Sequence, residues 1–555
     1  MRKIYFFLSL VLLVSSASVS AKKRSLDEMR KAAATVVSVH HDGSRRSPSL
    51  VAAQMNVVRE ESQLSVLAGS NQFAVIANDD DFDAVLAYSD TPFDKDALSN
   101  PGLRWWLEAM NATLEQHTAA GTRPRKVSIN PNYKKSVEML LSTKWDQSKP
   151  FNNMTPTYVN NGKEEHYVTG CVATSMAQIM NYYKYPATGA GSVSYRCNME
   201  SMTGEPITKR LSVSFAGGNY DWANMLDSYK SSYTTAQGDA VAKLMYHCGV
   251  SVKMDYDRSG SGSYTFRAVD ALKTNFLYNE NMPFYVRDYM HIDEFSDIAY
   301  NHLSQGHPLL FGAQARTGGH EFVLDGYSEK GLFHVNWGWS GSSDGYFDLV
   351  SLNGYTSVQE MVPVFLPEVF AERHSLFCYT QSGPNIRLSL GKLTASASYA
   401  MNVDYREFTG ELGLIAVSEE TGKVYELSKT SQTSNGYGYN MMYYYVHPTF
   451  SGISLTKLED GNYRVFMASK ANYEATWQPF RSNETIQNSV IMTVNGSKVS
   501  ITGDKDSGWM VGVEGVKATS APAMSGTYNL AGQKVSDSKS LPHGIYVKNG
   551  RKILK

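Results

Sequence analysis

A cysteine, a histidine and an asparagine stand out in this 555-residue chain because their types and local settings suit thiolate chemistry. Cys171 follows Gly170 and opens a run in which Val172, Met176, Ile179, Met180 and Tyr183 recur at helical spacing. The first residue of a helix sits among unpaired backbone N–H groups at the positive end of the dipole, which favours thiolate over thiol. Gly170 removes side-chain bulk where a carbonyl would approach the sulfur. A small buried cysteine capping a core helix fits the same position, and position alone does not choose between the two.

The elements that must position the other two residues form a hairpin. His320-Glu-Phe-Val-Leu-Asp-Gly-Tyr327 and Leu332-Phe-His-Val-Asn-Trp337 read as strands, with Ser328-Glu-Lys-Gly331 as the turn. Symmetric pairing about Ser328 puts His320 opposite Asn336, Phe322 opposite His334 and Leu324 opposite Leu332. Directly opposed Cβ atoms lie roughly 4.5–5.5 Å apart, so the Asn336 amide would orient the imidazole as the third member of a catalytic triad does. A one-residue slip would place the two side chains on opposite faces. Trp337 and Trp339 would shield the pair from water, and Gly318-Gly319 would leave the other edge of the imidazole open to substrate. An oxyanion formed at the attacked carbonyl needs fixed donors. The Cys171 N–H supplies one and the Gln147 side chain is a candidate for another, although by residue type it is one glutamine among many.

Composition narrows the setting without naming an activity. Hydrophobic residues make up 42% and charged residues 19%, which describes folded globular chain. The net charge of −1 argues against nucleic-acid binding driven by bulk charge. The 4 cysteines are too few for a disulfide scaffold, and no bridge among Cys197, Cys248 and Cys378 can be assigned. Arg2 and Lys3, the apolar run Ile4–Val14 and the small residues ending at Val19-Ser20-Ala21 have the order of a secretory signal peptide. No later stretch is long and apolar enough to predict a membrane span. His40-His41 lack the helical spacing of a zinc pair, and Asp79–Asp83 lacks the glycine and terminal glutamate of a calcium loop and reads as a solvated acidic turn. No metal or cofactor is expected.

Texture along the chain predicts an α+β protein with a β-rich end. Short strands such as Phe73–Ala77 and a helix over Leu103–Gln116 precede a basic, proline-containing stretch, Thr122–Lys126 and Ile129–Lys135, that reads as an exposed, protease-accessible linker. Beyond Phe370, alternating runs such as Gly413–Val417 and Tyr463–Met467 predict an all-β module. The tyrosine-rich Tyr437–Tyr445 is expected at its core and edge, and Thr527–Lys555 as one or two hairpins.

Several motifs in order resemble the streptopain family of cysteine proteases: Trp145-Asp-Gln-Ser-Lys-Pro-Phe-Asn, Gly170-Cys-Val-Ala-Thr-Ser-Met-Ala-Gln-Ile-Met-Asn, Gly249-Val-Ser-Val-Lys-Met-Asp-Tyr256 with the loop Gly260-Ser-Gly-Ser263, Gly318-Gly-His and His334-Val-Asn-Trp-Gly-Trp339. The order Cys171, His320, Asn336 and the long first interval also suit papain-like proteases, where ~130–150 residues separate nucleophile and base. Their local Cys-Gly-Ser-Cys-Trp signature is absent. The resemblance covers about residues 60–365. It implies a papain-like fold and a secreted zymogen, with Cys171 as nucleophile, His320 as base and acid, Asn336 as its orienter, Gln147 as oxyanion donor and Trp337 covering the His–Asn bond. It also implies an apolar preference at the substrate residue two before the cut. Glu321 departs from the family pattern, which has a small apolar residue there; facing the site, it would alter the charge preference.

The expected organisation is a signal peptide at 1–21, an inhibitory propeptide at 22–127, a papain-like protease domain at 128–367, a β-sandwich-like module at 368–518 and a tail at 519–555. The tail resembles C-terminal sorting signals of exported Bacteroidetes proteins, some read by type IX secretion, and reads equally as an ordinary hairpin. The expected partners are protein or peptide substrates and the chain's own propeptide, at the cell surface or outside the cell. Two other readings stay open: a papain-like acyltransferase or transglutaminase using the same residues, and a non-catalytic surface adhesin working through its β-rich end.

Overall fold

A computed structural model describes residues 22–37, 47–93, 97–199, 207–315, 318–352, 358–438 and 444–503, with the backbone of short strands at 527–529, 534–535, 545–548 and 551–554. The expected signal peptide lies outside the described residues. The N-terminal part comprises α1 (Leu26–Val37), α2 (Pro48–Gln54), the strands β1 (Asn56–Glu60), β2 (Leu64–Ala68), β3 (Phe73–Ala77) and β4 (Val85–Ser89), and α3 (Pro101–Ala120). Helix α3 starts where chemistry dictates. Asn100 accepts from the N–H groups of Gly102 and Leu103, Pro101 fills the first turn, and Gly121 closes the helix in the left-handed conformation.

Two hairpins, β5 (Thr157–Asn160) with β6 (Lys163–His166) and β7 (Ser192–Met199) with β8 (Ile207–Ser214), flank α4 (Cys171–Tyr183). Helices α5 (Thr235–Ser251) and α6 (Thr265–Thr274) complete this helical half. The remaining strands are β9 (Tyr285–Val286), β10 (Leu309–Ala315), β11 (Gly318–Tyr327), β12 (Phe333–Asn336), β13 (Gly345–Phe347) and β14 (Val358–Pro363), with α7 (Ile292–Ser304) between β9 and β10.

One sheet runs through both parts in the order β1-β2-β3-β4-β13-β12-β11-β10-β14-β9. The join is β4 against β13, where Tyr88 pairs with Tyr346 and Ala87 with Phe347. Two apolar cores lie on either side of this arrangement. One gathers α4, α5, α6 and Val323, and the other gathers α3, α7, Phe322 and Leu324. This is a mixed α and β fold, as expected.

From Phe377 to Gly503 every regular element among the described residues is a strand. The two apolar runs singled out in this region pair with each other, with Leu414 opposite Met467 and Ala416 opposite Val465. The β-rich part docks on α7 and the turn between β9 and α7 through ion pairs of Arg481 with Glu294 (3.2 Å) and Arg287 with Glu484 (2.9 Å). Tyr437 leaves the expected β-module setting for that interface, its ring 5.3 Å from that of Phe284. In the tail, Thr527–Asn529 pairs with Lys534–Val535 and Ile545–Lys548 with Arg551–Leu554, as two hairpins.

The central hairpin departs from the expected register. Asn336 pairs with Val323, Val335 with Leu324, His334 with Gly326 and Phe333 with Tyr327. The loop is longer than a tight turn, closed by Ser328 N–H to Leu332 O at 2.8 Å. A bulge at Asp325 takes one residue of that shift back and so changes the face, because the segment before α4 claims that residue: Leu140 N–H donates to its carbonyl and Leu141 N–H to its carboxylate (2.8 and 2.9 Å). The Asp325 carboxylate also accepts from His334 Nδ1 at 2.5 Å.

The acidic turn is not left to solvent alone. Asp81 meets Arg123 and Asp83 meets Lys126, so it holds the basic linker by exposed ion pairs. Such pairs contribute little each, about 0–1 kcal/mol.

Candidate active site

Helix α4 places Cys171 as its first residue, with Gly170 ahead of it at φ 87°. Gly170 serves a different purpose from the one expected. A Cβ there would lie 2.7 Å from Met254 Cε and 2.8 Å from the Ser261 carbonyl, so glycine relieves crowding behind Cys171. Thr174 donates from Oγ1 to the Gly170 carbonyl (3.0 Å), fixing the entry to the helix.

A cleft between the helical half and the sheet is lined by Cys171, Gln147, His320, Gly318 and Gly319, together with the loop Ser259–Ser263 and Trp339. Gly318 and Gly319 are exposed at its edge. Gln147 is held by its backbone: its N–H donates to Asp146 Oδ1 (2.5 Å) and its carbonyl accepts from Thr169 N–H (3.0 Å). Pro101, from the N-terminal part, enters the same cleft.

The imidazole of His320 is engaged with the chain beyond β12. Its Nε2–H donates to the carbonyl of Trp337 at 2.9 Å, and its ring lies 6.4 Å from the Trp337 ring. Helix α3 seals it there. At Gly102 a Cβ would lie 2.6 Å from His320 Cδ2 and would strike the Trp337 ring, so only glycine lets the helix backbone come this close.

Asn336 and His320 sit on opposite faces of the sheet in this register. Asn336 shares the face of Val323, toward α4, while His320 shares that of Phe322, toward α3. The expected His320–Asn336 pairing is therefore corrected: Asn336 exchanges hydrogen bonds with Gln178 of α4 instead. Gln178 Nε2 donates to Asn336 Oδ1 (3.0 Å), and Asn336 Nδ2 donates to Gln178 Oε1 (3.2 Å) and to the Thr143 carbonyl (2.8 Å). Trp337 is fully buried, with its indole N–H on the Ser343 carbonyl (3.0 Å).

Electrostatics match this arrangement. Burial pushes the Cys171 thiol up to about 11, outweighing the N–H groups of Glu321, Val172 and Cys171 that favour the anion. Burial likewise brings His320 down to about 4, against the opposing effect of its bond to Trp337. Both shifts favour the neutral thiol and imidazole over a thiolate–imidazolium pair.

Residue patterns missed Gly102, Gln178 and the acidic floor of the cleft. The helix expected over Leu103–Gln116 begins two residues earlier, at Pro101, and nothing local marks Gly102 as the point of contact with His320. Glu321 faces the cleft, 3% exposed, and is joined there by Glu360 and Thr265. Among the described residues no group of histidine, cysteine, aspartate or glutamate side chains is arranged to hold a metal ion, and no helix is long and apolar enough to cross a membrane. All four cysteines are free thiols.

Comparison with known proteins gives this geometry its context. The family model described as the peptidase C10 family matches residues 145–347. Streptopain from Streptococcus pyogenes is 32% identical over 311 residues, which are 52% of this chain and 76% of the relative. The thiol protease/hemagglutinin PrtT of Porphyromonas gingivalis is 30% identical over 313 residues, 52% of this chain and 35% of its own length. A solved prointerpain A fragment from Prevotella intermedia, a cysteine-to-alanine variant, superposes with a TM-score of 0.51 at 34% identity, covering 57% of this chain and 99% of the fragment. With a cysteine at the head of a cleft helix and this breadth of similarity, the chain belongs to the peptidase C10 family and is a cysteine-type peptidase.

Proposed function

We propose that the protein is a secreted cysteine endopeptidase made as a zymogen, with residues 22–127 as its inhibitory propeptide and Cys171, His320, Asn336 and Gln147 as its catalytic set. The observation that carries this reading is the seat of Gly102 against His320 and Trp337, beside a cleft that also holds Cys171 and Gln147. Once the linker is cut and α3 withdraws, His320 rotates off the Trp337 carbonyl toward α4, where Cys171 and Asn336 lie.

In the open enzyme the imidazole takes the thiol proton, and the thiolate sulfur attacks the peptide carbonyl carbon. The carbonyl π pair moves onto oxygen, where the Cys171 N–H and the Gln147 amide hold it. Collapse of the tetrahedral adduct breaks the C–N bond as the imidazolium gives its proton to the leaving amine. Water, deprotonated by the now neutral His320, then attacks the thioester and releases the acid and the free thiol. Export rests on the N-terminal residues 1–21, and retention at the surface on the C-terminal hairpins.

The test compares residues 22–555 as wild type and as Cys171→Ala, followed on a gel with thiol reductant, N-terminal sequencing and an unstructured protein substrate. The wild type is expected to cut itself between Gly121 and Ser136 and then to digest the substrate, while Cys171→Ala does neither. Two chains that both stay inert after an added protease has cut the linker would overturn the proposal.

A further inference from the structure

The floor of the cleft is an acidic notch built across three strands. In the sheet β10 lies between β11 and β14, and Gly312 of β10 pairs with Glu321 on one side and Glu360 on the other. The three residues thus form one cross-strand row, with their side-chain positions on a common face. Glycine at its centre lets neighbouring polar side chains close over the strand. A Cβ on Gly312 would strike Thr265 Oγ1 and lie 2.8 Å from Glu321 Oε2 and 3.6 Å from Glu360 Oε2. The space over Gly312 is therefore taken by the Thr265 hydroxyl and the Glu321 carboxylate, with the Glu360 carboxylate beside them.

Their hydrogen bonding is incomplete. Glu321 Oε2 accepts from Thr265 Oγ1 at 2.8 Å, but Glu321 Oε1 is buried with no partner. Glu360 Oε1 has the Tyr437 hydroxyl at 3.5 Å, a weak contact contributed by the β-rich region. Among the described residues lining the cleft there are two carboxylates and no lysine or arginine. A buried acceptor without a donor is costly, and a cation supplying charge-assisted hydrogen bonds removes that cost. Burial, with Glu360 adding to it, holds Glu321 up to about 8, so a positive charge brought up to the pair of carboxylates would restore its ionised form. The cavity, about 440 Å³, has room for a long side chain beside the sulfur.

We infer that Glu321 and Glu360 make this a specificity pocket for an arginine or lysine side chain of the substrate close to the scissile bond. This deepens, and rests on, the proposed protease function. It replaces the apolar preference that family resemblance implies. The chain offers such a side chain itself: the linker carries Arg123, Arg125, Lys126, Lys134 and Lys135. The same pocket then directs the enzyme to its own linker.

The experiment takes the full chain 22–555 after linker cleavage and measures kcat/KM on fluorogenic peptides that carry arginine, lysine or leucine at each of the four positions before the cut. At one position the wild type is expected to prefer arginine or lysine over leucine by about tenfold or more. Glu321→Leu should reverse that preference while retaining hydrolysis of the leucine peptide, and Glu360→Gln should weaken it. Glu360→Gln and the wild-type profile decide the matter should Glu321→Leu fail to fold. A wild type that cleaves the leucine series as well as the basic series overturns the pocket and leaves the protease reading standing. So does a Glu321→Leu enzyme with its basic preference intact. A linker-cut wild type that cleaves no peptide overturns the protease reading beneath it.

Discussion

Replacing Gly102 with alanine places a methyl group where the rings of Trp337 and His320 already stand, with His320 Cδ2 at 2.6 Å from the new carbon. Trp337 cannot yield easily. It is fully buried, its indole N–H is bonded to Ser343 O and its ring packs 4.7 Å from Phe322 and 5.1 Å from Phe347. Helix α3 must lift instead. Overpacking of this kind costs about 1–3 kcal/mol, which multiplies the fraction of chains with His320 uncovered by roughly 5- to 150-fold. The higher helix propensity of alanine does not offset this, because it favours the helix whether α3 is seated or lifted. The assay is the half-time of linker cleavage in purified full chain, alongside the urea midpoint of Cys171→Ala chains carrying the same change. Gly121→Ala is the control. It forces a left-handed cap residue in the same helix at a cost of about 1 kcal/mol, where a Cβ meets nothing within 4 Å. Gly102→Ala is expected to process itself much faster than both wild type and Gly121→Ala. Equal half-times for Gly102→Ala and wild type, or equal acceleration by both substitutions, would refute the idea that this contact holds His320 unproductive.

Acid should loosen the same contact. The covered His320 has its pKa brought from 6.5 down to about 4, so the seated state favours neutral imidazole. Its advantage is complete above about pH 6.5 and declines as pH falls toward 4. Between pH 7.5 and 5 the loss is about 2 kcal/mol. Hydrogen exchange of the α3 amides in Cys171→Ala chain, corrected for intrinsic rates, should report weaker protection at pH 5; unchanged protection contradicts this assignment. Gln178 is expected to matter for stability out of proportion to its place on a helix. Its Oε1 accepts from Thr143 Oγ1, Trp145 N–H and Asn336 Nδ2, all buried. Gln178→Ala should cost about 2–4 kcal/mol by urea unfolding through the donors it strands, and a loss below 1 kcal/mol would show that water replaces the amide.

Local rules made some of this legible and tertiary contacts hid the rest. Helix α4 was readable because apolar spacing, the glycine before it and Pro186 after it agree, and it ends one residue before Lys184 as a left-handed cap. Strand β3 matches the apolar run Phe73–Ala77 residue for residue, because a fully buried strand leaves little else for such a run to be. The His320–Asn336 register failed for a reason no window around the hairpin contains. Leu140 and Leu141, far away in sequence, bind Asp325 and hold a bulge that shifts every later pair. Glu321 showed itself as an odd residue beside the histidine, but its meaning depended on Gly312 and Glu360, which only the sheet order makes its neighbours.

That dependence on strand order ties the inhibition and the acidic notch to one sheet. β11 carries His320 and Glu321 as consecutive residues, and alternation along a strand sends them to opposite faces. One faces α3 and the other faces the floor beneath Cys171. In the proposed zymogen, a segment pressing on the His320 face would control whether the thiolate forms, and a cationic side chain meeting Glu321 and Glu360 would leave the His320 contact untouched. Inhibition would act through His320 and recognition through its chain neighbour Glu321, both of which line the one cleft.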